Sequence, residues 1–89
     1  MQEGYLEVTF RHGRAIAAYY YLPGRRGRKS YKTVRAGIGI LVDYSRSGEP
    51  IGLEFTAPSK VSLVGVNRVL RELGIESIGR AEFAPLLAA

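Results

Sequence analysis

The hydrophobic period of this chain changes once, and that change restricts the fold more than any other feature. Up to residue 56 apolar side chains recur at every second position; from residue 61 they recur at every third and fourth. A period of two belongs to a strand with one buried face, and a period near 3.6 to an amphipathic helix. Residues 5–10, YLEVTF, set Leu6, Val8 and Phe10 against Tyr5, Glu7 and Thr9. His12-Gly13-Arg14 reads as a turn, and residues 15–22, AIAAYYYL, as a second strand. Ile16, Ala18, Tyr20 and Leu22 share one face of it; Ala15, Ala17, Tyr19 and Tyr21 share the other. Residues 23–29, PGRRGRK, form a loop, because proline cannot donate to a central ladder and glycine permits positive φ.

Residues 30–35 read as a third strand, 38–44 as a fourth with Ile38, Ile40, Val42 and Tyr44 on one face, and 51–56 as a fifth with Ile51, Leu53 and Phe55 inward. After Pro58 the period lengthens. Ser59 or Ser62 can cap a helix whose face is Leu63, Val66, Val69, Leu70 and Leu73, and Gly74 suits its left-handed end. Strands followed by a helix imply α+β. The expected fold is an antiparallel β-meander of four or five strands over about residues 5–56, then one helix packed on the sheet over about 61–73, then a tail over 75–89, all in a single small domain, 1–89.

With 89 residues the core is thin. There is no cysteine, so no disulfide or thiolate metal site is available. The N-terminal MQEGYLEVTF has an early glutamate and no long apolar run, unlike a signal peptide, and no stretch is long and apolar enough to span a membrane. A cytoplasmic location is expected. Charge is unevenly spread: residues 8–42 hold eight bases and no acid, within a net +5 for the chain. Arg25, Arg26, Arg28, Lys29, Lys32 and Arg35 crowd into residues 25–35, beside Tyr19 and Tyr21. Such a patch can contact phosphates while tyrosines stack on bases. It can equally be the solvated tip of a β-hairpin, kept polar against edge aggregation. No known DNA- or RNA-binding signature accompanies it.

Residues 37–59, GIGILVDYSRSGEPIGLEFTAPS, carry a hairpin pattern: Gly39, Leu41, Val42, Asp43, Tyr44, Gly48, Ile51, Gly52, Leu53, Glu54 and Phe55. This pattern resembles a small bacterial family, the domain of unknown function numbered 2283, and the similarity extends over roughly residues 6–75. The turn here is Ser-Arg-Ser-Gly where that family usually has acidic residues. The resemblance implies a small β-rich domain with no known reaction, found often beside small toxin-like genes, and hence an antitoxin-like role with a small toxin as partner. It also implies that Asp43, Tyr44, Gly48, Gly52 and Glu54 are structural.

Catalytic chemistry has little to draw on. If Val42 faces Phe55 across the hairpin, Asp43 faces Glu54, and two adjacent carboxylates can serve acid–base chemistry or bind a divalent ion. The simpler reading is charge balance, with Lys32 or Arg35 on the next strand as the cation. His12 is the only histidine and sits in a turn. The serines lie in turns or caps without a base, and Gly37-x-Gly39 precedes no helix. No enzyme activity, cofactor or metal is expected. The tail FAPLLAA leaves Phe83, Leu86 and Leu87 in need of cover, from this chain or from a partner. The expected function is a non-enzymatic protein-interaction module that self-associates through a sheet edge or its tyrosine face; the alternative is a nucleic-acid-binding module using residues 25–35.

Overall fold

The computed structural model describes residues 3–87 of the chain. The alternating segments form five strands, β1 (Tyr5–Arg11), β2 (Arg14–Tyr21), β3 (Lys32–Gly37), β4 (Ile40–Tyr44) and β5 (Pro50–Phe55). Two helices follow, α1 (Leu63–Glu72) and α2 (Arg80–Leu87), the first preceded by a single 3-10 turn at Pro58–Lys60. Every strand pairing is antiparallel, so the fold is α+β with two helices where one is expected. None of the helices among the described residues is long and apolar enough to cross a membrane.

The sheet is not a meander. Its order is β1-β2-β5-β4-β3, so β2 pairs with β5 rather than with β3. Strands β2 to β5 thereby take the spatial order of a Greek key. Burial explains the exchange. Ile51, Gly52, Leu53 and Phe55 of β5 are buried, which suits the centre of the sheet, whereas β3 (KTVRAG) is exposed along nearly its whole length and suits an edge. The ten residues 22–31 are therefore a crossover rather than a hairpin tip. They pass the ends of β5 and β4, a span of roughly 14 Å at normal strand spacing. Leu22 N–H donates to Ile51 O (3.1 Å) at the start of the crossover, and Tyr31 N–H donates to Tyr44 O (2.8 Å) at its end.

One face of the sheet is covered. Ala18, Tyr20, Leu22, Ile40, Val42, Leu53 and Phe55 meet Val66, Val69 and Leu70 of α1, and Ile78, Phe83 and Leu86. Ile16 departs from the expected core face. The β1–β2 register passes from Thr9↔Ala17 to Phe10↔Ala15, leaving Ile16 as an extra residue in a bulge. Ala15 packs against the core instead, and Ile16 is exposed. Helix α1 forms as its sequence predicts: the Ser62 hydroxyl accepts from Gly65 N–H (3.0 Å), and Gly74 takes φ +74° beyond the last turn. Ile75 N–H to Leu70 O (2.8 Å) and Gly74 N–H to Arg71 O (3.0 Å) then satisfy the final carbonyls.

The tail docks on its own chain. Asn67 of α1 clamps the connection, donating to Ile78 O (3.0 Å) and accepting from Ile78 N–H (2.8 Å). Glu82 reaches back to accept from Gly79 N–H (3.1 Å) at the start of α2. Phe83 then meets Phe55 edge-on, with ring centroids 5.5 Å apart. Phe83 and Leu86 are buried, so of the two sources of cover open to them it is this chain that supplies it; the Leu87 side chain lies outside the described residues. Phe83→Ala should therefore destabilise the protein by about 3–5 kcal/mol in urea unfolding. A loss below about 1 kcal/mol would mean that α2 is not part of the core.

Candidate functional site

The helices leave the other face of the sheet uncovered. The pairings Glu7↔Tyr19, Tyr19↔Glu54, Glu54↔Leu41 and Leu41↔Arg35 define one row across it. A second row runs Tyr5↔Tyr21, Tyr21↔Gly52, Gly52↔Asp43 and Asp43↔Thr33. Tyr19 and Tyr21 therefore project together on this face, as the alternation predicts, while Tyr20 is buried among the helices.

Asp43 is the one buried charged residue, at 7% exposure among the described side chains. It accepts from the Tyr19 hydroxyl (2.8 Å) and from Thr33 Oγ1 (2.5 Å). Tyr19 belongs to β2 and Asp43 to β4, so the tyrosine crosses β5 to reach it. The crossing is possible because Gly52 lies beneath: a Cβ there would stand 2.2 Å from the Tyr19 oxygen. Asp43 does not oppose Glu54, as expected, but Gly52. The pairing is irregular between Asp43 and Tyr44, where a turn closed by Ser45 N–H to Glu49 O (2.8 Å) brings Tyr44 opposite Pro50. Two hydroxyls also replace the cation expected from Lys32 or Arg35. The paired-carboxylate site is thus absent, and among the described residues no three His, Asp or Glu side chains gather as a metal site would require.

Beside this network lies an aromatic cluster. The Tyr19 and Tyr21 rings are 4.7 Å apart between centroids, and Tyr5 stands 6.1 Å from Tyr21. The Arg26 guanidinium lies 4.4 Å above the Tyr5 ring and 5.7 Å from Tyr21. The Tyr21 hydroxyl donates to Glu7 (3.3 Å). A shallow hollow of about 160 Å³ continues the face between Glu7, Thr9, Tyr19 and Glu54.

The six bases expected to form one patch divide into separate groups. Arg28 pairs with Glu49 of the β4–β5 turn, and Arg25 Nε lies 3.3 Å from the same carboxylate without the alignment of a hydrogen bond. These two arginines strap the crossover to the turn it passes. Arg26 joins the tyrosines, Lys29 is exposed in the crossover, and Lys32 and Arg35 stand on the far edge strand. The pattern residues of the 37–59 hairpin have structural places: Gly48 takes φ +90° in the turn, Gly52 clears Tyr19, Asp43 is buried and Tyr44 packs on the core. Glu54 stands on the open face beside Tyr19 and Leu41. His12, at φ +52°, and Gly13 form the β1–β2 turn. Residue spacing did not reveal the Tyr19–Gly52–Asp43 crossing, since its partners are joined only by strand order; a lone glycine between Ile51 and Leu53, inside a strand, was the available signal. No family model matches the chain, and no curated protein or solved structure matches it closely enough to identify a relative.

Burial, reinforced by the Asp43 carboxylate, pushes the Tyr19 phenol well above the ordinary tyrosine value. Burial followed by neighbouring carboxylates raises Tyr20 and Tyr21 as well. A raised phenol pKa means that the fold prefers the protonated form. That stability is complete below about pH 10 and is lost as pH rises beyond it, where the unfolded phenol ionises first. Urea midpoints should therefore fall as pH rises from about 10, and Tyr19→Phe should flatten part of that slope. An identical slope in Tyr19→Phe would contradict this assignment.

Proposed function

We propose that the protein is a non-enzymatic interaction module that binds a second copy of itself through the open tyrosine face. The observation that carries this reading is the composition of a sheet face left without cover: Tyr5, Tyr19 and Tyr21 beside Arg26, with Glu7 and Glu54 among them. Tyrosine and arginine are among the residues enriched in protein interfaces and their hot spots. The charges are self-complementary, because a two-fold contact presents the same patch twice and lets Arg26 of one copy meet Glu7 or Glu54 of the other. Strands about 4.8 Å apart and about six residues long make a face of roughly 20 by 20 Å. Apposing two such faces covers roughly 800 Å² in projection, the size of a weak, reversible contact.

The same residues weigh against nucleic acid as the main ligand. Asp43, Glu7 and Glu54 share the face with the tyrosines, and Glu49 already engages Arg25 and Arg28. The resemblance of residues 37–59 to family 2283 gives the module an antitoxin-like setting in the cytoplasm, with a small toxin as a further partner.

Light scattering tests the proposal. The chain should scatter as a dimer at physiological salt, and Tyr5→Ser with Tyr21→Ser should weaken association by at least about tenfold. A wild-type monomer at high micromolar concentration would overturn it. So would complexes with mixed oligonucleotides that persist at physiological salt and replace the dimer.

A further inference from the structure

A second surface follows β3, on the side of the sheet away from the tyrosine face. β3 ends the sheet order and pairs with β4 alone, so its outer backbone edge has no strand beside it among the described residues. Three hollows succeed one another along it. The first, about 360 Å³, lies between Tyr31, Val34 and Tyr44. A second of about 360 Å³ shares Val34 and Tyr44 and extends to Val69 of α1 and to Leu73, the residue after that helix. The third, about 290 Å³, shares Ala36 and Val69 and runs on to Ile38. Together they form a groove between an edge strand and a helix. Its apolar side chains lack cover: Val34 is 39% exposed and Ile38 71%.

The rim is positive. Lys32 and Arg46 border the first hollow, and Lys60 and Arg68 the third, against a single acid, Glu72; Arg35 adjoins the second from β3, and by the strand's alternation flanks the same edge from the open face. Among the described residues none of these five bases makes an ion pair. Arg46 lies 5.0 Å over the Tyr31 ring, which holds its charge at one end of the groove.

We propose that β3 and this groove bind an extended acidic segment of another protein by strand addition. Main-chain hydrogen bonds to the free edge supply affinity, and alternate side chains entering successive hollows supply selectivity. Acidic residues between and beyond them meet the five bases. A second copy of this chain is the poorer occupant: its own β3 and β4–β5 turn bring Lys32, Arg35 and Arg46 to the same edge, and like charges across a strand pair repel. Nucleic acid is poorer too, since it makes no ladder with an edge strand, and of the two aromatic rings at the groove Tyr31 already holds Arg46 while Tyr44 packs against the core. The surface is separate from the tyrosine cluster, which lies on β1 and β2 at the opposite edge of the sheet and on its other face; of the bases here, Arg35 alone shares that face.

The test is a fluorescence-anisotropy titration of the full chain with a synthetic peptide of about seven residues alternating valine and glutamate, matched to the length of β3. Saturable binding at physiological salt is expected, with amide shifts along β3. Lys32→Glu, Arg35→Glu and Arg46→Glu together should weaken it by at least about tenfold, and a valine–lysine peptide should not bind. All three side chains are exposed, so the variant should retain the circular dichroism of the parent. Failure of the glutamate peptide to bind, indifference to charge reversal, or shifts confined to the tyrosine face would overturn the proposal. An oligonucleotide that binds more tightly at the same salt and displaces the peptide would overturn it as well, assigning the groove to nucleic acid. Loss of the dimer with peptide binding intact would count against the tyrosine-face reading alone.

Discussion

The structure depends on a side chain that is missing. Gly52 lies in the central strand, and the space above it is filled by Tyr19 on its way from β2 to Asp43 on β4. Thr33 of β3 reaches the same carboxylate, so one buried aspartate ties three strands to one another across a fourth. A carboxylate taken out of water is costly unless hydrogen bonds replace its hydration. Here two hydroxyls do so. Removing either leaves a buried acceptor short of a donor, which costs more than the bond itself contributes. β5 is thereby covered on both sides, by the helices beneath and by Tyr19 above.

That central placement of β5 decides what the basic stretch can be. Because β5 lies between β2 and β4, the chain leaving β2 must travel past two strand ends to reach β3. The stretch that looks like a charged hairpin tip is the length of chain needed for this crossing. Two of its arginines converge on Glu49 in the turn below, and a third caps the tyrosine rings. Much of the positive charge is therefore used within the fold. What remains unpaired on β3 and around α1 belongs to the edge groove, not to the crossover.

Period and capping made much of this legible. Alternation located all five strands and separated buried Tyr20 from Tyr19 and Tyr21; Ser62 and Gly74 marked the ends of α1. Alternation states which face a residue takes, not which strand lies beside it, so the Greek-key order was invisible. Register was equally hidden, because nothing in the spacing sets Gly52 rather than Glu54 opposite Asp43. The bulge that exposes Ile16 breaks the alternation that placed it inward. α2 is short, contains Pro85 and has little amphipathic character of its own; Asn67 and Phe55, distant in sequence, hold it in place.

A two-faced sheet suits a protein that works by contact. The helices stabilise one side, the tyrosines are free on the other, and the last strand offers an edge. All of this rests on the crossing at Gly52, which a double-mutant cycle tests most directly. Gly52→Ala and Tyr19→Phe are made singly and together, and unfolding free energies are compared in urea. If Gly52 exists to let Tyr19 reach Asp43, each single change should cost about 1.5–3 kcal/mol. The double variant should cost little more than either alone, because both remove the same bond. Additive losses would mean that glycine and tyrosine act separately, and the account of the open face would fail.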